Sequence, residues 1–272
     1  LLQRLYSTMP LLVTLQEGKA LDAQPLLVRL FRRLIIADAD AVSTISAYLK
    51  RYARTINTRA PIHVIPNGVA VEEFSLAAHK SRVALRAQLG ILPEEKVVVS
   101  VSRLVPKNGL YNLIVAMGSV AARYPARLVI VGAGPLQKEL ERLVHTLGLA
   151  RQVVFTGQIS HGRLPAYLGA ADVFVRPSLS EGLGTAFLEA MACRVPIVAS
   201  PVGGIPDFLT DGRTGLFCNP ANASHIAETI QRLFAEPELA EKLRTEAFAL
   251  VRKRYDWSVI AERVRELYGL FL

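Results

Sequence analysis

From residue 97 onward, short apolar segments rich in β-branched residues alternate with apolar stripes at helical spacing, and few folds accommodate such a repeat. The first segment, VVVSVS at 97–102, is followed by a helical face made of Leu110, Leu113, Ile114 and Met117. Segments of the same kind follow at 127–132, 152–157, 172–178, 195–200 and 215–220. Strands that alternate with helices form a parallel sheet covered on both faces. The sequence therefore predicts a doubly wound α/β domain that binds its ligand at the carboxyl ends of the strands.

The part before residue 97 is organised differently. Three strand-like segments lie at 11–15, 40–46 and 62–68, which are few for a complete doubly wound domain. Residues 70–95 are mixed and polar, and we interpret them as an interdomain link. At the other end of the chain, a final helix is predicted to begin after Asp256, a suitable N-cap residue.

The composition indicates a globular, basic protein. Hydrophobic residues make up 51% of the chain, which excludes a mainly disordered protein. The formal net charge of +9 suits polyanions, phosphorylated small molecules or an anionic membrane surface. Nucleic acid is the weaker interpretation, because no aromatic stacking platform accompanies the charge. Two cysteines, Cys193 and Cys218, form neither a disulfide framework nor a metal-binding spacing, and we expect a reducing, cytoplasmic setting.

The segment LLVRLFRRLIIA at 26–37 combines apolar residues with three arginines. Such a segment either lies on an anionic membrane as a basic amphipathic helix or packs its apolar face into a core while its arginines reach solvent. Core packing is the more common outcome and is the one we expect. Peripheral contact with the cytoplasmic membrane face is the alternative.

The most informative stretch, DVFVRPSLSEGLGTAFLEA, places a glycine loop between a strand and a helix. Gly182 and Gly184 allow a sharp turn and a close approach of the backbone to a ligand, and the helix that begins near Thr185 favours an anion such as a diphosphate. Glu181 on the loop and Glu189 in the helix are carboxylates that can accept hydrogen bonds from sugar or ribose hydroxyls. The alternative is a tight strand–helix turn in which Glu181 is solvated and Glu189 only favours the helix.

Arg103 and Lys107 form a second candidate site, directly after the strand at 97–102. Ligands of open α/β sheets bind at that end of a strand. Two cations there would neutralise a leaving diphosphate, Arg103 through bidentate contacts and Lys107 as a point charge. The alternative is a pair of exposed loop cations.

Further motifs join the two sites at regular spacing. Arg103, Lys107 and Gly109 are followed by EGLG at 181–184, LEAMA at 188–192, Pro196, Gly203-Gly204 and TDGRTGLFCNP at 210–220, and are preceded by VIPNGV at 64–69. With this pattern the chain resembles, over nearly its whole length, the family 4 (group 1) retaining glycosyltransferases of the GT-B fold.

The resemblance implies a role for each of these residues. Arg103 and Lys107 would stabilise the departing β-phosphate, and Glu181 would contact the transferred sugar. Glu189 would bind the ribose hydroxyls of the nucleotide. The diphosphate would be held by four consecutive backbone amides, those of Gly182, Leu183, Gly184 and Thr185. Enzymes of this family usually need no divalent metal, and we expect neither a metal nor a cofactor.

Two departures from the family pattern bear on the candidate site. The family Lys commonly follows the Arg by five or six residues, whereas Lys107 stands four residues after Arg103 and Asn108 stands five after it. Either Lys107 reaches the phosphate from a shifted loop, or Asn108 takes its place in donor binding. Gln16 stands where many members have a His that orients donor and acceptor, and we carry over only a positioning role on the acceptor side.

The implied architecture is α/β of the GT-B type, with one complete Rossmann-like donor domain and the later part of a second Rossmann-like domain. Residues 1–88 would be a remnant of the N-terminal acceptor-binding domain with a linker, and 89–253 the C-terminal donor-binding domain. Residues 254–272 would be a helix that crosses back to the first domain. Because the opening strands of the first domain are absent and the chain begins at Leu1, we interpret the sequence as a fragment of a longer protein.

The implied activity is transfer of a sugar from a nucleotide diphosphate sugar to a hydroxyl acceptor, with retention of the anomeric configuration. The acceptor could be a glycan, a lipid or a small molecule, and the sugar and the base stay open. The alternative is a catalytically silent nucleotide-sugar-binding fragment, which Gln16 and the absent opening strands favour.

Overall fold

The computed structural model describes residues 9–16, 24–56 and 59–271. The strands in these residues are β1 (Leu12–Leu15), β2 (Ala41–Thr44), β3 (Ile62–Val64), β4 (Lys96–Val101), β5 (Ala126–Val131), β6 (Val153–Gly157), β7 (Val173–Arg176), β8 (Ile197–Ala199) and β9 (Leu216–Phe217). The α-helices are α1 (Leu26–Ala37), α2 (Ala47–Thr55), α3 (Val71–Gln88), α4 (Leu110–Arg123), α5 (Gln137–Thr146), α6 (Leu164–Ala170), α7 (Thr185–Ala192), α8 (Ala223–Ala235), α9 (Pro237–Arg254) and α10 (Trp257–Gly269).

Strands β4 to β9 form one parallel sheet in the order β6-β5-β4-β7-β8-β9. The strand order reverses between β4 and β7. This topological switch point is where doubly wound sheets bind their ligands, outside the carboxyl ends of the strands. Each strand overlaps the segment from which the sequence predicted it, β4 and β5 beginning one residue earlier, and the expected doubly wound α/β fold is confirmed.

Both faces of this sheet are buried, and successive residues of its central strand show why. Val97 and Val99 of β4 pack into one hydrophobic core, which includes Phe187 of α7. Val98 packs into a second core on the opposite face, with residues of α4, α5 and α8. A strand buried on both faces needs apolar residues at every position, which explains the uninterrupted apolar runs in the sequence.

Strands β1, β2 and β3 form a smaller parallel sheet in that order. Helix α2 follows β2 and begins at Ser46, whose hydroxyl accepts a hydrogen bond from the Leu49 amide at 3.3 Å. Val42 of β2 and Leu49 of α2 belong to the same hydrophobic core as Phe187 of α7. One continuous core therefore joins the small sheet to the larger one.

The region interpreted as a polar link contains an 18-residue helix, α3. Its buried face includes Phe74 and Ala78, and Ala78 lies so close to α6 that a Cβ on Gly169 would come within 2.4 Å of its carbonyl oxygen. Farther along the helix, Arg82 and Arg86 pair with Asp172 at 2.8 and 3.3 Å. The connection between the sheets is thus a helix packed on the larger one.

The last helix returns to the segment that joins the two sheets. The Val69 amide donates to the Tyr255 carbonyl at 2.8 Å, and the Trp257 amide donates to the Val69 carbonyl at 3.2 Å. Asp256 caps α10, as predicted, by accepting from the Ser258 amide at 3.0 Å. A shallow pocket between β3 and α10 is lined by residues of both, His63 among them.

Helix α1 is exposed where the sequence predicted burial. Ile36 is its buried residue, whereas Leu27, Leu30 and Phe31 are all exposed. The expectation of core packing is wrong for the described part of the chain, because no element there lies over the apolar face of α1. In the same described residues, no helix is both long and apolar enough to cross a membrane.

Candidate active site

The loops that follow β4 and β7 meet at the switch point of the larger sheet. Lys107 lies in a short 3₁₀ turn after β4, and its Nζ is 3.4 Å from Oε2 of Glu181, which lies in the loop after β7. The Leu179 amide donates to the Lys107 carbonyl at 2.7 Å and fixes the two loops to each other. The structure therefore brings together two residues that the sequence placed in separate candidate sites.

Glu181 is buried and forms ion pairs with two cations, Lys107 and Arg176. Its Oε2 accepts from Nη2 of Arg176 at 2.7 Å, and its Oε1 accepts from the Gly182 amide at 3.0 Å. Only 8% of the residue is exposed. The alternative interpretation, in which Glu181 is solvated on a simple turn, is therefore wrong.

Arg176 ends β7, beneath the glycine loop. Its guanidinium also donates through Nη1 to the Val101 carbonyl at 3.2 Å and lies 4.3 Å from the centroid of the Phe187 ring. Burial lowers the pKa of this guanidinium from its ordinary value, while the carboxylates of Glu181 and Glu189 act in the opposite direction. Since arginine stays protonated in proteins, the site contains a buried positive charge.

Glycines let a second loop lie against Glu181. Gly203 has a φ of +58°, and a Cβ there would come within 1.7 Å of the Glu181 carbonyl oxygen. A Cβ on Gly204 would come within 2.0 Å of the Gly182 carbonyl oxygen, and the Gly204 amide donates to the Glu181 carbonyl at 3.1 Å. The loop at 203–204 thus packs directly against the backbone at 181–182, and this contact requires glycine at both positions.

Glu189 lies in α7, a short helix whose later residues are all buried. Its Oε1 is 2.8 Å from Nε2 of His161, and the His161 ring is tilted against that of Phe74, 5.4 Å away between centroids. The His161 side chain is 71% exposed, whereas Glu189 is buried, so the histidine lies between the carboxylate and solvent. Glu189 is therefore more than a helix-favouring residue.

The loop after β4 presents Lys107 and Asn108 in opposite directions. Asn108 is buried, and its Nδ2 donates to the Arg103 carbonyl at 2.7 Å, which closes the loop. Arg103 has an exposed side chain. The residue four positions after Arg103 thus faces Glu181, whereas the residue five positions after it faces inward.

The remaining candidates are more dispersed. The Leu183 side chain is buried, so only its backbone is placed for a ligand, and Thr185 is the first residue of α7. Gln16 is exposed at the end of β1, in the smaller sheet. Among the residues that the structure describes, no three His, Cys, Asp or Glu side chains form a group that could hold a metal ion.

Two residues of the site were missed by the sequence analysis. Arg176 could have been found, because a charged residue that ends an apolar strand is itself a signal of function or pairing. His161 carried no such signal, since it meets Glu189 only through the tertiary fold.

A contact between the two sheets lies one turn beyond the supporting glycines. Asp207 accepts from the Ala47 amide, at the start of α2, with its Oδ2 at 2.6 Å, and its carbonyl accepts from the Tyr255 hydroxyl at 3.2 Å. Burial raises the pKa of the Asp207 carboxyl, against the opposing effects of the Ala47 amide and Arg51. The loop that supports Glu181 is therefore also bonded to the smaller sheet.

Comparison with known proteins identifies the family. Residues 81–249 match the family model of the glycosyl transferases group 1. The chain belongs to this family. A curated group 1 relative, the GDP-mannose-dependent alpha-(1-6)-phosphatidylinositol monomannoside mannosyltransferase of Mycolicibacterium smegmatis, is 35% identical over 86% of this chain. The match spans 63% of that relative, less than two thirds of its length.

Solved structures show the same fold. Sucrose-phosphate synthase from Thermosynechococcus elongatus is 29% identical, with a TM-score of 0.88 over 99% of this chain and 69% of its own. Anabaena HepE, in complex with UDP and glucose, is 24% identical, with a TM-score of 0.87 over 96% of this chain and 71% of its own. The expected GT-B type of fold and the group 1 resemblance are confirmed.

Proposed function

We propose that this group 1 family member transfers a sugar from a nucleotide diphosphate sugar to a hydroxyl acceptor, with retention of the anomeric configuration. The observation that carries the proposal is the meeting of Lys107 and Glu181 at the switch point, beside the amides that begin α7. A cation and helix-terminal amides suit a diphosphate, and an adjacent carboxylate suits sugar hydroxyls. The motif resemblance to retaining enzymes supports retention.

In this proposal each group acts on a different part of the donor. Arg103, Lys107 and the amides of residues 182–185 hold the diphosphate, Glu181 contacts the sugar, and Glu189 binds the ribose. The bond between the anomeric carbon and the diphosphate oxygen breaks, and its electron pair leaves with the diphosphate. The acceptor oxygen forms the new bond to the anomeric carbon, and its proton passes to the departing diphosphate. The cations stabilise the charge that develops on the leaving group.

In the same proposal, the part of the chain with the larger sheet binds the donor and the part with the smaller sheet forms the acceptor side. Residues 89–253 bind the donor, residues 1–88 form the acceptor side with the linker, and 254–272 cross back to it. Gln16, at the carboxyl end of β1, is the proposed positioning residue on the acceptor side. The backbone pairing of Val69 with Tyr255 and Trp257 supports the crossing.

The similar proteins suggest which donors to test. The mycobacterial relative is named for GDP-mannose, and the Anabaena structure contains UDP and glucose. We propose titration calorimetry of the purified chain with GDP, UDP and ADP and with their sugar conjugates. Nuclear magnetic resonance of any transferred or hydrolysed sugar would then report the anomeric configuration.

Variants test the assigned roles. Glu189→Ala is expected to weaken nucleotide binding by about 1–3 kcal/mol, the cost of losing hydrogen bonds to a charged group. Lys107→Ala or Arg103→Ala is expected to lower turnover of the full-length enzyme by about 10²–10³-fold, as for other lost charge-stabilising donors. Asn108→Ala should lower it less, and Lys242→Ala, on the exposed side of α9, is the matched control.

The outcomes separate the candidate functions. Nucleotide binding by the full-length protein without transfer or hydrolysis, in the presence of varied acceptors, would favour the catalytically silent alternative. Unchanged nucleotide affinity in Glu189→Ala would remove Glu189 from the site. A larger effect of Asn108→Ala than of Lys107→Ala would show that the residue five positions after Arg103 contacts the donor.

We also propose that α1 contacts an anionic membrane at its cytoplasmic face. Its exposed apolar residues, Phe31 among them, lie on a helix that carries three arginines, in a chain of net charge +9. The two cysteines are buried and free, which supports a reducing compartment. Sedimentation with phosphatidylglycerol vesicles, but not with phosphatidylcholine vesicles, is expected, and Phe31→Ser should reduce it. Equal binding of Phe31→Ser would contradict the assignment.

A further inference from the structure

We propose that Arg176 is a positioning residue that keeps the Glu181 carboxylate in place when Lys107 moves from it to the donor diphosphate. The inference rests on the proposed function. No motif of the sequence singled out this buried arginine. Without it, Lys107 would have to hold Glu181 and bind the diphosphate at the same time.

The two cations that share Oε2 of Glu181 differ in their freedom to move. Arg176 is 2.7 Å from that oxygen, and its side chain is only 7% exposed. Lys107 is 3.4 Å from the same oxygen and 3.5 Å from the Ser180 carbonyl, with 31% of its side chain exposed. Contacts as long as those of Lys107 are weak hydrogen bonds. Lys107 can therefore leave the carboxylate at little cost, whereas Arg176 cannot.

Arg176 is fixed by contacts on three sides. Besides Glu181, it donates to the Val101 carbonyl at the end of β4 and lies over the Phe187 ring of α7. These contacts fix the guanidinium, at the end of β7, to β4 on the other side of the switch point and to α7, whose first amides form part of the proposed diphosphate subsite. A planar guanidinium held in this way fixes the direction of its hydrogen bonds as well as its charge.

The glycine loop also packs directly on this guanidinium. A Cβ on Gly184 would come within 2.6 Å of Nη2 of Arg176, the same nitrogen that donates to Glu181. The loop can therefore descend onto the arginine only because position 184 has no side chain. Arg176 thus lies enclosed beneath the loop, and Glu181 is the loop residue whose side chain it holds by a hydrogen bond.

Removal of Arg176 should affect the sugar more than the nucleotide. A buried charge that loses its partner is strongly unfavourable, so the Arg176–Glu181 pair persists when Lys107 moves. Without Arg176, the carboxylate would retain Lys107 or turn toward solvent, and in either case the sugar hydroxyls would lose their acceptor. The proposed ribose contact of Glu189 would be preserved.

Calorimetry on the full chain tests this separation. The measured quantity is the ratio of affinities for a nucleotide sugar and its nucleoside diphosphate, GDP-mannose against GDP and UDP-glucose against UDP. Arg176→Met is expected to lower this ratio about tenfold, the equivalent of one hydrogen bond to a charged group. The affinity for the diphosphate alone should change far less, and Arg176→Lys should restore part of the ratio.

The matched control is Arg127→Met. Arg127 pairs with Glu95 at 2.8 Å near the opposite end of the same sheet. Its substitution should lower thermal stability without changing the ratio of nucleotide-sugar to diphosphate affinity. If Arg176→Met does not fold, the double variant Arg176→Met/Glu181→Gln removes both buried charges together. It should show the same ratio as Glu181→Gln alone.

Each result decides between the proposals. An unchanged ratio in Arg176→Met, or a further loss when it is added to Glu181→Gln, would overturn the role of Arg176. Loss of the ratio in Arg127→Met as well would show a general effect of stability. A native chain that binds none of the nucleotides would overturn the proposed function, and this inference with it.

Discussion

Substitution of alanine for Gly203 is expected to displace Glu181. Gly203 has a φ of +58°, a left-handed conformation that costs an alanine about 1–2 kcal/mol. Its Cβ would also lie 1.7 Å from the Glu181 carbonyl oxygen, whereas non-bonded heavy atoms prefer a separation of about 3.5 Å. The backbone at 181 would have to move by more than about 1 Å, and Glu181 with it.

A second glycine provides the control for this experiment. Gly212 has a φ of +68°, and a Cβ there would meet nothing within 4 Å. Gly212→Ala is therefore expected to cost only the conformational penalty of about 1–2 kcal/mol. Gly203→Ala should cost at least as much and should also weaken nucleotide-sugar binding about tenfold, as for the loss of one charged hydrogen bond.

Urea denaturation and titration calorimetry measure the two effects on the same preparations. The expected result is that both variants lose stability and that only Gly203→Ala loses affinity for the sugar nucleotide. Equal stability and equal affinity in the two variants would refute it, since the contact with Glu181 would then have no consequence.

Three further outcomes follow from buried charges and thiols. Asp172→Ala should lower the free energy of unfolding by about 2 kcal/mol in urea, because it removes the carboxylate with which both arginines of α3 form ion pairs, one of these arginines being largely buried. Burial raises the pKa of the Asp207 carboxyl above its ordinary 3.8, so the folded state favours the protonated form. The free energy of unfolding of the native chain, relative to that of Asp207→Asn, should therefore be highest below about pH 4 and should fall as the pH rises through the raised pKa. Urea melts at a series of pH values measure this dependence. Burial raises the pKa of Cys193 and takes that of Cys218 to about 12, so neither thiol should react with a disulfide reagent at pH 8 until the chain is unfolded.

The sequence predicted the strands of the larger sheet well because burial on both faces leaves a local signal. Most positions of such a strand are apolar, so the run is visible without knowledge of its neighbours. Helix α3 was harder to recognise, since its buried residues, Phe74 and Ala78 among them, are diluted by charged ones. Helix α1 shows the reverse case, because a strong apolar pattern predicts a helix but not the surface that covers it.

The site divides in the same way. Glu181, Glu189 and the glycine loop lie within one short segment, so their spacing could be read from the sequence. The pairing of Lys107 with Glu181 and of His161 with Glu189 depends on strands that are distant in the chain. Local patterns identify which residues carry the chemistry, whereas the sheet topology determines which of them meet.

The pairing of Val69 with Tyr255 and Trp257 limits how the two sheets can move. The chain passes between them twice, once into α3 and once into α10, and the two passages are fastened to each other by backbone hydrogen bonds. Two passages fastened to each other, together with the contact of Asp207 with the Ala47 amide, resist sliding of one sheet past the other, so we expect any relative motion of the sheets to be a rotation about Val69. Such a rotation would change the separation between the smaller sheet and the loops after β4 and β7, so a substitution at Val69 would alter the site without changing any of its residues.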